Sequence, residues 1–171
     1  MGRSSLRENK NIYQVCREEC GLTRARASEE LEWISDSRIE KIESERTVPT
    51  PDEVVAMEKA YKKPGLSSYY CANECAIGKS ANKKPTEEKT ISEIVLEVLA
   101  TLNNLDKQKE RLIEITQDGM IDDDNELRDF IEIQKKLEKI ASTVDSLRLW
   151  VSRTINEGGI DENTMKKFLE E

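Results

Sequence analysis

Apolar residues along this chain return every three or four positions, in short runs through the first half and in two long runs through the second. That period belongs to amphipathic helices. Ile12, Val15 and Cys16 predict a helix from near Asn11 to Cys20, which Gly21 ends by tolerating a left-handed turn. Thr23 is a good cap for a second helix, with Ala27 and Leu31 facing inward. Glu32 and Trp33 make a turn, Ser35 caps a third helix, and Ile39 and Ile42 form its buried stripe. Thr50-Pro51-Asp52-Glu53 opens a fourth: a capping threonine, proline at the first helical position and a glutamate three residues after the cap. Val54, Val55, Met57 and Ala60 supply its apolar residues, and a short fifth helix is expected over Ser68–Cys75.

The polar, proline-containing stretch Gly78–Thr86 has no apolar period and reads as a linker. Thr90-Ile91-Ser92-Glu93 is a capping box. The helix it opens carries Ile91, Val95, Val98, Leu102, Leu105 and Leu112, with polar Lys109 in the series, and is expected to stop near Asp118-Gly119. A second long helix begins about Asp122–Asp124. Its residues Phe130, Ile133, Leu137, Ile140, Val144, Leu147 and Val151 keep a 3.5-residue stripe, the mark of coiled-coil packing. Two long helices with a short connection form an antiparallel hairpin. Leu149 and Trp150 lie off that stripe and add apolar area for a second copy or for the N-terminal half. Gly158-Gly159-Ile160-Asp161 opens a short last helix. The expected class is all-α: a helical domain over 1–78, a linker over 79–89 and a helical hairpin over 90–171.

Composition narrows the function. Charged residues make up 36% of the 171, aromatic residues 5%, and there is no histidine. Residues 1–84 hold 15 Lys/Arg against 14 Asp/Glu, and the remainder 12 against 21. Any contact with phosphates therefore belongs to a local patch in a near-neutral first half, and the acidic second half is not expected to touch DNA. No run of about 18 apolar residues suggests a membrane span. The opening MGRSSLRENK lacks a signal-type apolar core and, with Leu6 in place of Ser or Thr, a myristoylation motif; the expected location is cytoplasmic. With no phosphate-binding glycine loop and no serine nucleophile motif, neither an enzyme nor a cofactor is expected. The acid-rich Asp118–Glu126 is not a calcium loop: with Gly119 as the loop glycine, ligand positions fall on Glu114, Thr116, Asp118 and Asn125.

Gly21-Leu22-Thr23, then Ile34-Ser35-Asp36-Ser37-Arg38-Ile39-Glu40-Lys41-Ile42-Glu43, then Pro49, resemble the lambda-repressor-like, XRE-type helix-turn-helix family over about half the chain. Tyr69-Tyr70-Cys71-Ala72-Asn73-Glu74-Cys75-Ala76-Ile77-Gly78 looks like an ending found in a subset of such proteins. Two positions depart from the pattern: the turn before Ser35 is one residue longer, with Glu32-Trp33 where a single glycine is common, and Glu45 replaces the glycine that closes the third helix. The resemblance implies a five-helix DNA-binding domain whose third helix lies in the major groove of double-stranded DNA. Asp36, Ser37, Arg38 and Lys41 would face that groove. Arg38 and Lys41 would donate to guanine or phosphate, and Asp36 would accept from cytosine. Arg24, Arg26 and Arg46, with Arg3, Arg7 and Lys10, are candidate phosphate contacts.

Cys16 and Cys20, and Cys71 and Cys75, are each four apart, so each pair shares a helix face. Four thiolates would suit a structural zinc, a Cys71–Cys75 disulfide is a further option, and small buried cysteines also pack as hydrophobes. The functional expectation is a bacterial or phage-type transcriptional regulator, a homodimer through its C-terminal helices. The alternative is a protein-interaction adaptor that keeps the helix-turn-helix scaffold without DNA binding.

Overall fold

The computed structural model describes residues 10–106, 108–115, 121 and 123–169. Among these the chain is helical, without strands, and divides into two compact units. One runs to Thr86 and takes in Ile155–Asp161; the other runs over Glu87–Thr154 and resumes at Glu162. No helix among the described residues is long and apolar enough to cross a membrane.

In the first unit, α1 (Ile12–Glu19), α2 (Arg24–Leu31), α3 (Asp36–Glu43) and α4 (Pro51–Ala60) are each started by a side chain that accepts a backbone N–H. Asn11 accepts from Gln14, Thr23 from Arg26, Ser35 from Arg38 and Thr50 from Glu53. At Thr50 the box is reciprocal, because the Glu53 carboxylate accepts from the Thr50 N–H at 2.7 Å. Such caps contribute about 1 kcal/mol each. Gly21 closes α1 at φ +72°, and Glu45 takes the same left-handed role after α3 at φ +59°, where a Cβ costs about 1 kcal/mol.

These helices close on one core: Tyr13, Cys16, Ala27, Leu31, Ile34, Ile39, Ile42, Val54, Met57, Tyr61, Leu66 and Tyr70. Three details differ from the sequence reading. Helix α1 turns Tyr13 and Cys16 inward and leaves Ile12 and Val15 half-buried. Val55 on α4 is exposed, since Val54 and Met57 already fill the side facing the core. The fifth helix, α5 (Leu66–Asn73), begins before Ser68 because the Glu58 carboxylate accepts from the Gly65 and Ser67 N–H groups and caps it from a distance.

The stretch expected as linker is also partly structured. A short helix, α6 (Ala76–Ser80), folds back on α5. Gly78 makes this possible: a Cβ there would sit 1.8 Å from the Cys71 carbonyl oxygen. Beyond it the Thr86 N–H donates to Ser68 Oγ at 3.1 Å.

The second unit holds α7 (Ile91–Asp106), α8 (Lys109–Ile115), α9 (Asp124–Asn156) as far as Thr154, and α10 (Glu162–Leu169). The expected first long helix is thus two helices, and the break adjoins Lys109, where the apolar series is interrupted. The turn around Gly119 lies outside the described residues, as do Arg3 and Arg7. The hairpin is antiparallel: partners fall along α9 as they rise along α7 and α8. Arg153 donates to Glu88, Thr143 to Glu97, Lys136 to Gln108, and Arg111 to Asp129.

The rotation of the two helices is a second correction. Along α9 the buried residues are Ile133, which belongs to the expected stripe, and Thr143, Ser146 and Leu149, which do not; Phe130, Ile140 and Val151 of the stripe are half-buried, and Leu137, Val144 and Leu147 are exposed. On α7, Ile94 and Thr101 are buried, and Val95 and Leu102 are exposed. An apolar sector this wide exceeds what one neighbouring helix covers, so one edge is buried and the other is left in water.

Candidate nucleic-acid interface

The turn between α2 and α3 is set by three local features. Glu32 adopts φ +54°, Trp33 N–H donates to the Leu31 carbonyl, and Ser28 Oγ donates to the Ile34 carbonyl at 2.9 Å. Ile34 is driven fully into the core and anchors the turn. The added residue, Trp33, is carried outside and is 59% exposed. Ser35 then starts α3 with Ile39 and Ile42 inward, which leaves Asp36, Ser37, Glu40 and Lys41 exposed on the opposite side.

Arg38, between those faces, is occupied within the chain. Its guanidinium donates to both Glu53 oxygens, to Thr47 Oγ1 at 2.7 Å and to the Val48 carbonyl at 3.1 Å. The hydrogen bond from Arg38 is the main cause that holds the Glu53 carboxyl below its usual range, followed, against burial, by the backbone bond from Thr50. Arg38 thereby ties α3 to the start of α4.

Arg24 is occupied as well. Its Nε donates to Glu43 Oε2 at 2.8 Å. Glu43 is buried at the end of α3, and buried Arg17 reaches it from α1 through Nε and Nη2, with Nη1 donating to the Leu22 carbonyl. Arg17 was not singled out from the sequence, and Glu43 entered only as the last residue of the family-like motif, without a partner; the signal for Arg17 was that it sits beside the inward Cys16 on its helix. Among the other expected phosphate contacts, Arg26 pairs loosely with Glu29 at 3.4 Å and Lys10 pairs with Glu18. Lys41 and Arg46 are exposed and form no ion pair among the described residues.

The cysteines do not assemble. Cys16 lies in the core, where burial pushes its thiol up to about 11, and Cys20, Cys71 and Cys75 are half-buried. All four are free, and among the described residues no group of three or more Cys, Asp or Glu side chains is placed to hold a metal ion.

A helix-turn-helix family matches residues 15–65, from the second turn of α1 to the residue before α5. No curated protein and no solved structure matches the chain. The capped helices, the Ile34-anchored turn and this match agree: residues 15–65 are a helix-turn-helix domain of the lambda-repressor-like, XRE family, a family of DNA-binding transcription regulators.

Proposed function

We propose that this chain is a sequence-specific DNA-binding transcription regulator that acts in the cytoplasm as a homodimer through its C-terminal helices. The observation that carries the reading is the outer face of α3. Asp36, Ser37, Glu40 and Lys41 are all exposed on a helix held at both ends by ion pairs, and among the described residues Lys41 and Arg46 are in no ion pair. Such a helix laid in the major groove lets Lys41 donate to guanine or to phosphate, Ser37 donate or accept, and Asp36 accept from a cytosine amino group. Arg46, just past the helix, reaches the backbone. Asp36 and Glu40 repel phosphates, so the few free cations give a modest salt dependence, about 0.9 in log–log slope for each phosphate neutralised.

One observation favours a second reading, a protein-interaction adaptor: the same face carries two carboxylates, and Arg24 and Arg38 are tied up inside the domain. Selection of random-sequence duplexes by the purified chain at low salt, followed by sequencing, separates the two. A regulator enriches a motif with two half-sites and releases it as salt rises. A folded protein that retains no duplex at low salt is the adaptor, and the α3 face is then read by a protein.

A further inference from the structure

Helix α7 carries three charges in 16 residues, Glu93, Glu97 and Asp106. Glu97 is turned toward the hairpin partner, paired with Lys89 and accepting from Thr143 Oγ1. The exposed side of the helix instead presents Ile91, Val95, Leu96, Leu99 and Leu102, with Leu96 66% and Leu99 54% exposed. Of the exposed residues between them, Ser92, Ala100 and Asn103 are uncharged, and Glu93 is held at the helix start by the Thr90 N–H and hydroxyl. A helix apolar on so many sides is one that packs against more than one neighbour, and the hairpin supplies a single one.

The exposed row on α7 follows the inward row by one residue: Val95 follows Ile94, and Leu102 follows Thr101. On α9 the offset is the same, with Val144 after Thr143 and Leu147 after Ser146. Because the helices run antiparallel, equal offsets rotate both rows toward the same side of the hairpin. The result is one apolar face two helices wide. Along α7, from Ile91 to Leu102, it is about 17 Å long, so it spans on the order of 350 Å² before side-chain relief, within the range of the largest patches that monomers expose and that often serve a function.

We infer that this face is covered by the same face of a second copy, giving a four-helix arrangement with the two α7 helices at its centre. Charge selects the occupant. The half of the chain that holds the hairpin is strongly acidic, so most surfaces of two copies repel; the α7 face is the place where identical chains meet without like charges opposed. A charged partner finds there only Glu93, at the start of the helix, whose carboxylate already accepts from Thr90. The inference names the surface for the homodimer proposed above and rests on that reading, while standing apart from DNA binding.

Sedimentation of the full chain across the micromolar range tests it, with Leu99→Lys and Leu96→Glu as disrupting variants and Glu138→Lys, on another exposed side of α9, as control. Both disrupted positions face water in the monomer, so helicity by circular dichroism is expected to be unchanged. The expected result is a wild-type dimer, weakened at least about a hundredfold by either disrupting variant and unaffected by Glu138→Lys. A wild-type chain that stays monomeric, or a dimer indifferent to both variants, overturns the inference. Duplex binding is measured on the same samples. Lost dimer contacts with half-site binding retained support the face and leave the regulator reading standing; an intact, variant-sensitive dimer that binds no duplex supports the face and removes the regulator.

Discussion

Arg38 and Glu53 meet fork to fork: Nε and Nη2 of the guanidinium donate to the two carboxylate oxygens at 2.7 Å each. Fifteen residues apart in sequence, they join α3 to α4. The same carboxylate accepts from the Thr50 N–H, so a single side chain both caps α4 and anchors α3.

Arg38→Ala is therefore expected to act on stability. Loss of the paired bonds, partly exposed to solvent, costs about 1–2 kcal/mol and lowers the melting temperature by several degrees. The sequence preference in duplex selection is expected to stay as in wild type. A changed preference at one base pair with an unchanged melt would mean that Arg38 leaves Glu53 for DNA.

Acid weakens this contact in a defined window. Arg38 and the Thr50 backbone depress the Glu53 carboxyl, so the pair contributes fully above the ordinary carboxylate value of 4.5 and is lost as pH falls through the lower folded value. The difference in melting temperature between wild type and Glu53→Gln is expected to be flat near neutrality and to close below about pH 4. A difference that persists in strong acid would mean that the carboxylate charge plays no part.

Glu43→Ala leaves the buried Arg17 guanidinium with only the looser ion pair to Glu18 at 3.8 Å. A cost of about 3–5 kcal/mol follows, read as early urea unfolding of the N-terminal unit, with Glu43→Gln milder because it keeps an acceptor. An unfolding curve that matches wild type would show that Arg17 finds another partner.

Lys41→Ala is expected to leave the melt unchanged and to weaken duplex binding. If Lys41 meets phosphate, the loss is uniform over sequences and the salt slope becomes shallower by about one. If it meets guanine, discrimination at one position falls by about 1–3 kcal/mol. Wild-type affinity in the variant would remove Lys41 from the interface.

Gly78→Ala drives a methyl group into the Cys71 carbonyl. The overpacking is expected to cost about 1–3 kcal/mol and to open the α5–α6 turn, seen as faster proteolytic cleavage near residues 74–80. Equal cleavage rates would mean that α6 shifts without loss.

The starts of the helices were legible because a cap is a local bond: Thr23, Ser35 and Thr50 each accept from an N–H three residues on, within the window that the sequence displays. Glu58 capping α5 and Arg17 pairing with Glu43, 26 residues away, are decided by the closed fold, and no local pattern names either partner. In the hairpin the apolar rows were visible, but which row meets the single neighbour is a tertiary choice; Thr143 and Ser146 were buried in preference to Val144 and Leu147. On α3 the exposed face followed directly from Ile39 and Ile42, whereas the occupation of Arg24 and Arg38 depended on carboxylates from the ends of two helices.

The two clamps on α3, Glu43 at its end and Glu53 beside its first turn, fix the helix before any partner arrives. Its conformational entropy is given up on folding and not on association. A partner of the exposed face thus meets a preorganised rod, and the heat-capacity change on binding is set by the apolar surface covered, without the added decrement of a segment that folds as it docks.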